Sequence, residues 1–275
     1  MLRQVPFLAS MPNRMRTVRT RRRSAAGWLA AACALWSASA PGAELPDTIA
    51  RVKPSIVGIA TVQKTRRPPL KLLATGFVVA DGRHAITNAH TIPETIDSAG
   101  REFLAVIIGG NEPGVRAARV IASDKVHDLA ILEFEGSQLP AMRLGDSRRV
   151  REGETYVFTG FPIGMVLGMR PVTHRGMISA ITPIAIPQIS PKLLSPRLVK
   201  QLRDPYEVFQ LDATAYPGNS GSPLYDPASG AVVGVINKVF VKESKETVLE
   251  KPSGITYAIP VVYVTELLSE AGVGG

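Results

Sequence analysis

Short apolar runs rich in β-branched residues recur along the chain, separated by Gly, Pro and Asp. Runs of this length with regular turn signals are typical of strands in all-β sandwiches and barrels. The pattern predicts strands at 55–62, 74–80, 84–89, 103–109, 118–123, 129–134, 155–160, 174–181, 207–213, 222–226, 231–240 and 254–260. Helical patterns are scarce, and we expect helix only at 46–53, near 195–203 and at 261–270.

The predicted strands fall into two groups, before and after the polar stretch RLGDSRRVREGE at 143–154. A polar connection between two apolar regions is typical of a linker between compact units. We therefore expect one strand-rich unit over 44–143 and a second over 144–275. The segment 182–205 carries several prolines and is predicted to be a long surface loop.

Residues 1–43 have the pattern of a targeting segment. A basic stretch at Arg19–Arg23 precedes the apolar run SAAGWLAAACAL, and small residues follow in SASAPGA. The apolar run is shorter than the roughly 20 residues that a membrane-spanning helix needs. We therefore expect export to the periplasm or cell exterior, with cleavage near residues 40–43; the alternative is an uncleaved N-terminal membrane tether.

Most of the net positive charge lies in the same segment. Residues 1–43 hold seven arginines with no lysine and no acid, so removing them from the net charge of +9 leaves +2 for residues 44–275. A nearly balanced body gives no electrostatic reason for nucleic-acid binding. The single cysteine, Cys33, also lies in this segment, so we expect no disulfide, thiol nucleophile or cysteine metal site in the body.

The stretch AYPGNSGSP at 215–223 separates two apolar runs and presents a candidate nucleophile. Proline and glycine on both sides of Ser220 allow a tight turn that other residues would strain. Such a turn can aim the backbone N–H groups of Gly218 and Ser220 at one point, which makes an oxyanion hole. Taken alone, GNSG is equally the pattern of an ordinary turn.

Two upstream residues supply a candidate base and acid. His90 follows the predicted strand 84–89, and Asp128 directly precedes the strand 129–134. Each alone is more often structural than catalytic. Together with Ser220 they give the chain order His, Asp, Ser, which goes with the double β-barrel proteases and argues against an α/β-hydrolase, where serine comes before histidine.

The chain resembles the trypsin-like serine proteases of the HtrA/Deg type. The matching motifs run in family order over nearly the whole of 45–270: GFVVADGRHAITNAHTI (76–92), HDLAILEF (127–134), LGDSRRVREGE (144–154), GFPIG (160–164), RGMISAI (175–181), DATAYPGNSGSPL (212–224), GVIN (234–237) and GITYAIP (254–260). The resemblance implies two six-stranded antiparallel Greek-key β-barrels, at 44–143 and 144–275, with the active site between them and a short C-terminal helix. It assigns His90 as general base, Asp128 as its orienter, Ser220 as nucleophile, and Gly218 with Ser220 as oxyanion donors.

Two departures from that family pattern are visible. HtrA-type proteins usually carry PDZ domains after the protease, whereas this sequence ends at Gly275, some 15 residues past YAIP. We therefore expect a protease domain without a PDZ domain. Ser222 stands where the family commonly has a second glycine after the serine.

We expect a serine endopeptidase that acts through an acyl-enzyme on exported or misfolded envelope proteins and requires no metal or organic cofactor. In trypsin-like enzymes the residue six before the serine lies at the base of the specificity pocket; the resemblance therefore implies Thr214 there, with no carboxylate to pair with a substrate Lys or Arg. The pocket walls are expected from 237–240 and 254–258, with Asn237, Val239 and Tyr257 as candidates, which predicts a small or medium aliphatic P1 residue. The alternative is a catalytically inert or latent protease-fold module that binds peptides or partner proteins. The oligomeric state is left open.

Overall fold

The computed structural model describes residues 44–110, 114–163, 169–184, 205–237 and 254–274. The predicted targeting segment 1–43 and the predicted helical piece at 195–203 lie outside these residues. The described strands are β1 (Ile56–Val62), β2 (Leu70–Val79), β3 (His84–Thr87), β4 (Phe103–Ile108), β5 (Gly114–Asp124), β6 (Leu129–Phe134), β7 (Thr155–Gly160), β8 (Val172–Pro183), β9 (Glu207–Asp212), β10 (Pro223–Tyr225), β11 (Val232–Asn237) and β12 (Ile255–Pro260). The described α-helices are α1 (Leu45–Val52) and α2 (Val262–Glu270).

The strands form two closed antiparallel barrels of six. The first has the order β1-β2-β3-β6-β5-β4, and the second has the order β7-β8-β9-β12-β11-β10. In each barrel three consecutive strands pair in sequence and the chain then returns by a longer connection, which is a Greek-key arrangement. The predicted pair of six-stranded Greek-key barrels with a short C-terminal helix is confirmed. Within the described ranges, no helix has the length and apolar character needed to cross a bilayer.

Successive residues of β1 alternate between two buried layers, as the period of two in a strand requires. In β1, Val57 and Ile59 belong to a cluster made only by the first barrel. Ile56, on the opposite face, belongs to a cluster that also contains second-barrel residues such as Val157, together with residues of α2. Because both faces of β1, β6 and β11 are buried, their sequences are nearly continuous apolar runs, and this continuity makes these strands visible in the sequence.

One strand end differs from prediction at a place that affects the site. The strand predicted at 84–89 ends at Thr87, and a short 3₁₀ turn, Ala89–Thr91, follows it. The chain leaves the sheet here because the Thr91 hydroxyl donates to the Asn88 carbonyl oxygen at 2.7 Å and the Ala89 N–H donates to the Asp128 carbonyl oxygen at 3.1 Å. His90 therefore lies on a tight turn and not directly after the strand.

His174, on β8, is a partly buried imidazole. Its ring stacks on Phe158 with centroids 4.9 Å apart, and Tyr216 lies 6.1 Å away. The buried Nε2 atom makes no hydrogen bond within the described part of the chain. Burial lowers the pKa of His174 below its ordinary value of 6.5 because the charged imidazolium would lose its hydration there.

We predict that His174→Phe flattens the dependence of stability on pH. The unfolded chain binds a proton at this position near pH 6.5, whereas the folded chain binds it only at lower pH. The free energy of unfolding of the wild type should therefore fall as the pH drops through 6.5, and the variant should lose this contribution. Urea unfolding from pH 8 to pH 5 measures the difference, and parallel curves for the two proteins would contradict the prediction.

Candidate active site

His90 and Asp128 form a two-point contact. His90 Nδ1 lies 2.6 Å from one oxygen of the Asp128 carboxylate, Oδ2, and the His90 backbone N–H donates to the other, Oδ1, at 2.8 Å. The side chains of His90 and Asp128 are 32% and 16% exposed, so the pair is shielded without being sealed from solvent. With Nδ1 engaged by a carboxylate, the ring is fixed in orientation and Nε2 is the nitrogen left for another partner.

Asp128 adopts an unusual backbone conformation, with φ at +55°. The left-handed region is uncommon for a residue other than glycine, and such strain persists only where the surroundings hold it in place. Here the Asp128 carbonyl oxygen accepts hydrogen bonds from the Ala89 N–H and, at 3.1 Å, from the side-chain amide of Asn88. The turn after β3 thus holds the backbone of Asp128 while His90 holds its carboxylate.

Asn237 supplies a third contact to this carboxylate. It ends β11, is fully buried, and donates from its side-chain amide to Asp128 Oδ2 at 2.8 Å. The sequence predicts Asn237 in the substrate pocket and gives no indication of this contact. The available signal was a buried polar residue at the end of the otherwise apolar run VVGVIN. Its contribution to a pocket stays a prediction.

The turn before Ser220 has a defined shape. The Asn219 N–H donates to the Tyr216 carbonyl oxygen at 3.0 Å, with Pro217 second and Gly218 third in the turn. Gly218 has φ at +100°, and this arrangement of proline and glycine is typical of a type II turn. The Ile163 N–H donates to the Pro217 carbonyl oxygen at 2.6 Å. Since the C=O and N–H of a trans peptide point in opposite directions, the Gly218 N–H points away from Ile163.

Ser220 and Gly221 lie against the first barrel. Ser220 is 8% exposed, and its carbonyl oxygen accepts from the Thr75 N–H at 3.0 Å. A Cβ added to Gly221, whose φ is +84°, would lie 2.1 Å from the Thr75 carbonyl oxygen and 2.5 Å from the Thr87 hydroxyl. Thr87 is three residues before His90, so this close approach brings the serine turn beside the turn that carries the histidine.

Two further predicted pocket residues lie on or directly after neighbouring strands of the second barrel. Thr214 is half-buried just after β9, and Tyr257 is half-buried on β12, where it pairs with Gln210 and Asn237. Tyr257 also packs against a small buried cluster around Tyr206. The fourth candidate, Val239, lies outside the described residues.

His127, the residue directly before Asp128, forms a second Asp–His pair with Asp124. The His127 ring stacks on Tyr263 of α2 at 3.8 Å and meets Tyr206 edge-on at 4.7 Å, while its Nδ1 contacts the carboxylate of Asp124. Burial acts to raise the pKa of Asp124, but the hydrogen bonds from His127 outweigh it and lower the pKa below the ordinary value. The first barrel is therefore clamped to the second barrel and α2 at the residue next to Asp128.

Comparison with known proteins places these features in a family. Residues 74–235, which contain His90, Asp128 and Ser220, match the family model described as "Trypsin-like peptidase domain". The chain belongs to this family. The match spans more than half of the trypsin-like peptidase chain and extends over strands of both barrels.

Curated relatives of this trypsin-like peptidase are of the DegP-like type. One, from Pseudomonas fluorescens, is named "Probable periplasmic serine endoprotease DegP-like"; it is 26% identical over 278 residues, covering 86% of this chain and 51% of the relative. Another of the same name, from Halomonas elongata, is 29% identical over 190 residues, covering 69% of this chain and 33% of the relative. The trypsin-like peptidase thus spans about half the length, or less, of these relatives.

Solved structures of HtrA-type proteases share the fold of this trypsin-like peptidase. A structure titled "HtrA-type protease AlgW with decapeptide" matches with a TM-score of 0.59 at 23% identity, covering 83% of this chain and 67% of that one. The same protease with a tripeptide matches with a TM-score of 0.58 at 24% identity, covering 82% and 63%. Together with the DegP-like relatives, these matches confirm the resemblance to HtrA/Deg-type proteases inferred from the motifs.

We predict that Gly221→Ala disrupts the trypsin-like peptidase far more than Gly272→Ala. Both glycines have positive φ, at +84° and +68°, but an added Cβ at Gly272 meets nothing within 4 Å. Backbone strain alone should lower the free energy of unfolding of Gly272→Ala by about 1 kcal/mol. In Gly221→Ala the clash with Thr75 adds to this strain, so the loss should reach about 3 kcal/mol or more. Thermal and urea unfolding measure both, and equal losses would contradict the close contact with Thr75.

Proposed function

We propose that this trypsin-like peptidase is a serine endopeptidase of the HtrA type that cleaves peptide bonds through an acyl-enzyme on Ser220. The observation that carries the proposal is the hydrogen-bonded chain from Asn237 through Asp128 to His90, beside the turn that holds Ser220. The names of the DegP-like relatives support the same activity.

In the proposed acylation step, His90 Nε2 takes the proton of the Ser220 hydroxyl as Oγ forms a bond to the substrate carbonyl carbon. Collapse of the tetrahedral intermediate breaks the C–N bond, and the imidazolium gives its proton to the leaving amine. Water then enters, loses a proton to the same imidazole and attacks the ester, which releases the acid and regenerates Ser220. Asp128 holds the Nδ1–H tautomer and stabilises the imidazolium throughout.

The negative charge on the substrate oxygen is proposed to be stabilised by the N–H groups of Gly218 and Ser220. The positive φ of Gly218 and the hydrogen bond from Ile163 to the Pro217 carbonyl support this role. With the Pro217 carbonyl turned toward Ile163, the peptide plane between Pro217 and Gly218 has one defined orientation.

We further propose that residues 44–275 form the catalytic body and that residues 1–43 direct it to the periplasm, with exported or misfolded envelope polypeptides as substrates. The location is supported by the periplasmic DegP-like relatives. The low net charge of +2 over the body is the reason to propose polypeptide rather than nucleic-acid partners.

We predict that Ser220→Ala abolishes peptide hydrolysis while the barrels stay folded, because the variant loses its nucleophile and keeps its turn. A fluorophosphonate should label the wild type on Ser220 and leave the variant unlabelled. Ser222→Ala is the matched control, since this hydroxyl lies two residues away and makes no hydrogen bond within the described residues.

The labelling experiment also distinguishes an active endopeptidase from a latent or inert protease-fold module. A latent or inert peptide-binding module would not react with the fluorophosphonate. A folded wild-type chain that resists labelling, or a Ser220→Ala variant with substantial residual cleavage, would therefore overturn the proposed function.

We predict a preference for small or medium aliphatic P1 residues. Thr214 gives the proposed pocket base no negative charge, so a substrate Lys or Arg would lose hydration there without gaining an ion pair. Profiling with a peptide library should give kcat/KM values for valine at P1 at least roughly 10-fold above those for arginine. A profile dominated by arginine or lysine would contradict this pocket assignment.

A further inference from the structure

Thr75, on β2 of the first barrel, is fully buried and makes hydrogen bonds through every polar group it has. Its N–H donates to the Ser220 carbonyl oxygen at 3.0 Å, and its carbonyl oxygen accepts from the Thr87 hydroxyl at 2.8 Å. Its hydroxyl donates to the Gly218 carbonyl oxygen at 2.7 Å and accepts from the Phe161 N–H at 2.9 Å. One residue of the first barrel therefore contacts two residues of the serine turn.

Replacing the Thr75 hydroxyl with an apolar group would remove two hydrogen bonds, one to the Gly218 carbonyl and one from the Phe161 N–H. A hydroxyl both donates and accepts, and here the carbonyl of Gly218 needs a donor while the N–H of Phe161 needs an acceptor. The neighbouring Gly160 makes room for this arrangement, since a Cβ added there would lie 2.7 Å from the Thr75 hydroxyl. A valine at position 75 would keep the shape and leave two buried backbone groups unpaired.

The contacts of Thr75 bear on the orientation of the oxyanion donors. The peptide plane before Gly218 is held at the Pro217 carbonyl by the Ile163 N–H, and the plane after it is held at the Gly218 carbonyl by Thr75. Two fixed planes leave Gly218 little freedom to rotate. The Ser222 N–H holds the Asn219 carbonyl at 3.0 Å, and the Thr75 N–H holds the Ser220 carbonyl, so the peptide planes on both sides of Ser220 are also fixed.

We infer that Thr75 is a positioning residue for the reaction: its hydroxyl, supplied by the first barrel, holds the Gly218 peptide of the second barrel so that the N–H groups of Gly218 and Ser220 converge. This inference rests on the proposed function. It adds a role for a residue that touches neither the substrate nor the reacting atoms, and it makes the oxyanion hole a joint product of both barrels.

The test compares Thr75→Val with Thr75→Ser in the full chain. Thr75→Val should lower kcat about 10-fold or more, short of the roughly 10²–10³-fold loss on removal of an oxyanion donor itself. KM should change less than about threefold, because the hydrogen bond acts on the transition state and not on ground-state binding. Thr75→Ser keeps the hydroxyl and should keep kcat within about threefold of the wild type, and fluorophosphonate labelling rates should follow the same order.

Thr48→Val is the matched control for loss of a buried hydroxyl. Thr48 is also fully buried, donates to a second-barrel carbonyl, that of Ala228, at 3.1 Å, and accepts from the side chain of Arg51 at 3.2 Å. This variant should lose stability in urea unfolding and keep its kcat. A merely structural role of Thr75 would instead make Thr75→Val behave like Thr48→Val.

If Thr75→Val does not fold, Thr75→Cys takes its place. Because a thiol donates only weakly, the kcat of Thr75→Cys should lie below that of Thr75→Ser and above the residual rate of Ser220→Ala. An unchanged kcat in folded Thr75→Val or Thr75→Cys, or an equal loss in Thr75→Ser, overturns the inference while the proposed function stands. A wild type that neither cleaves nor labels overturns both.

Discussion

The carboxylate of Asp128 is the contact on which the arrangement of the site depends. It accepts from the backbone and ring of His90 in the first barrel and from the amide of Asn237 in the second. A carboxylate that is mostly withdrawn from water is stable only when its oxygens are hydrogen-bonded. The same hydrogen bonds that stabilise the charge therefore fix the imidazole on one side and align the end of β11 on the other.

Both turns of the site contain residues with left-handed backbone. Asp128 itself has a left-handed backbone, Gly218 and Gly221 have positive φ, and Gly221 leaves no room for a side chain. The Asp128 conformation costs free energy locally and persists because the surrounding hydrogen bonds hold it, whereas the two glycines adopt positive φ without this penalty. The clamp of His127 between Tyr206 and Tyr263 anchors the residue next to the strained aspartate.

Most of the architecture could be predicted from the sequence, because strands such as β1, β6 and β11 are short apolar runs bounded by turn residues. The chain order of His90, Asp128 and Ser220 pointed to the double barrel, and the turn glycines pointed to the serine. The contacts of Thr75 with Gly218 and of Asn237 with Asp128 could not be predicted, since they join residues 143 and 109 positions apart. Local patterns show that a residue is on a strand and buried, but they do not show which distant backbone group it meets. The position of His90 on a 3₁₀ turn was missed for the same reason, because the Asp128 carbonyl that ends the strand lies 39 positions beyond Ala89.

The shared buried layer between the barrels has a consequence for how the chain matures. The first barrel precedes the second in the chain and carries both His90 and Asp128, but the turn that carries Ser220 is held by groups of β2, and the hydrogen bonds of the aspartate are completed by Asn237 at the end of β11. A chain that ended after the first barrel would contain two of the three proposed catalytic residues, His90 and Asp128, but neither the turn with Ser220 nor the contact from Asn237. In the proposed function, hydrolysis therefore requires the second barrel to dock against the first.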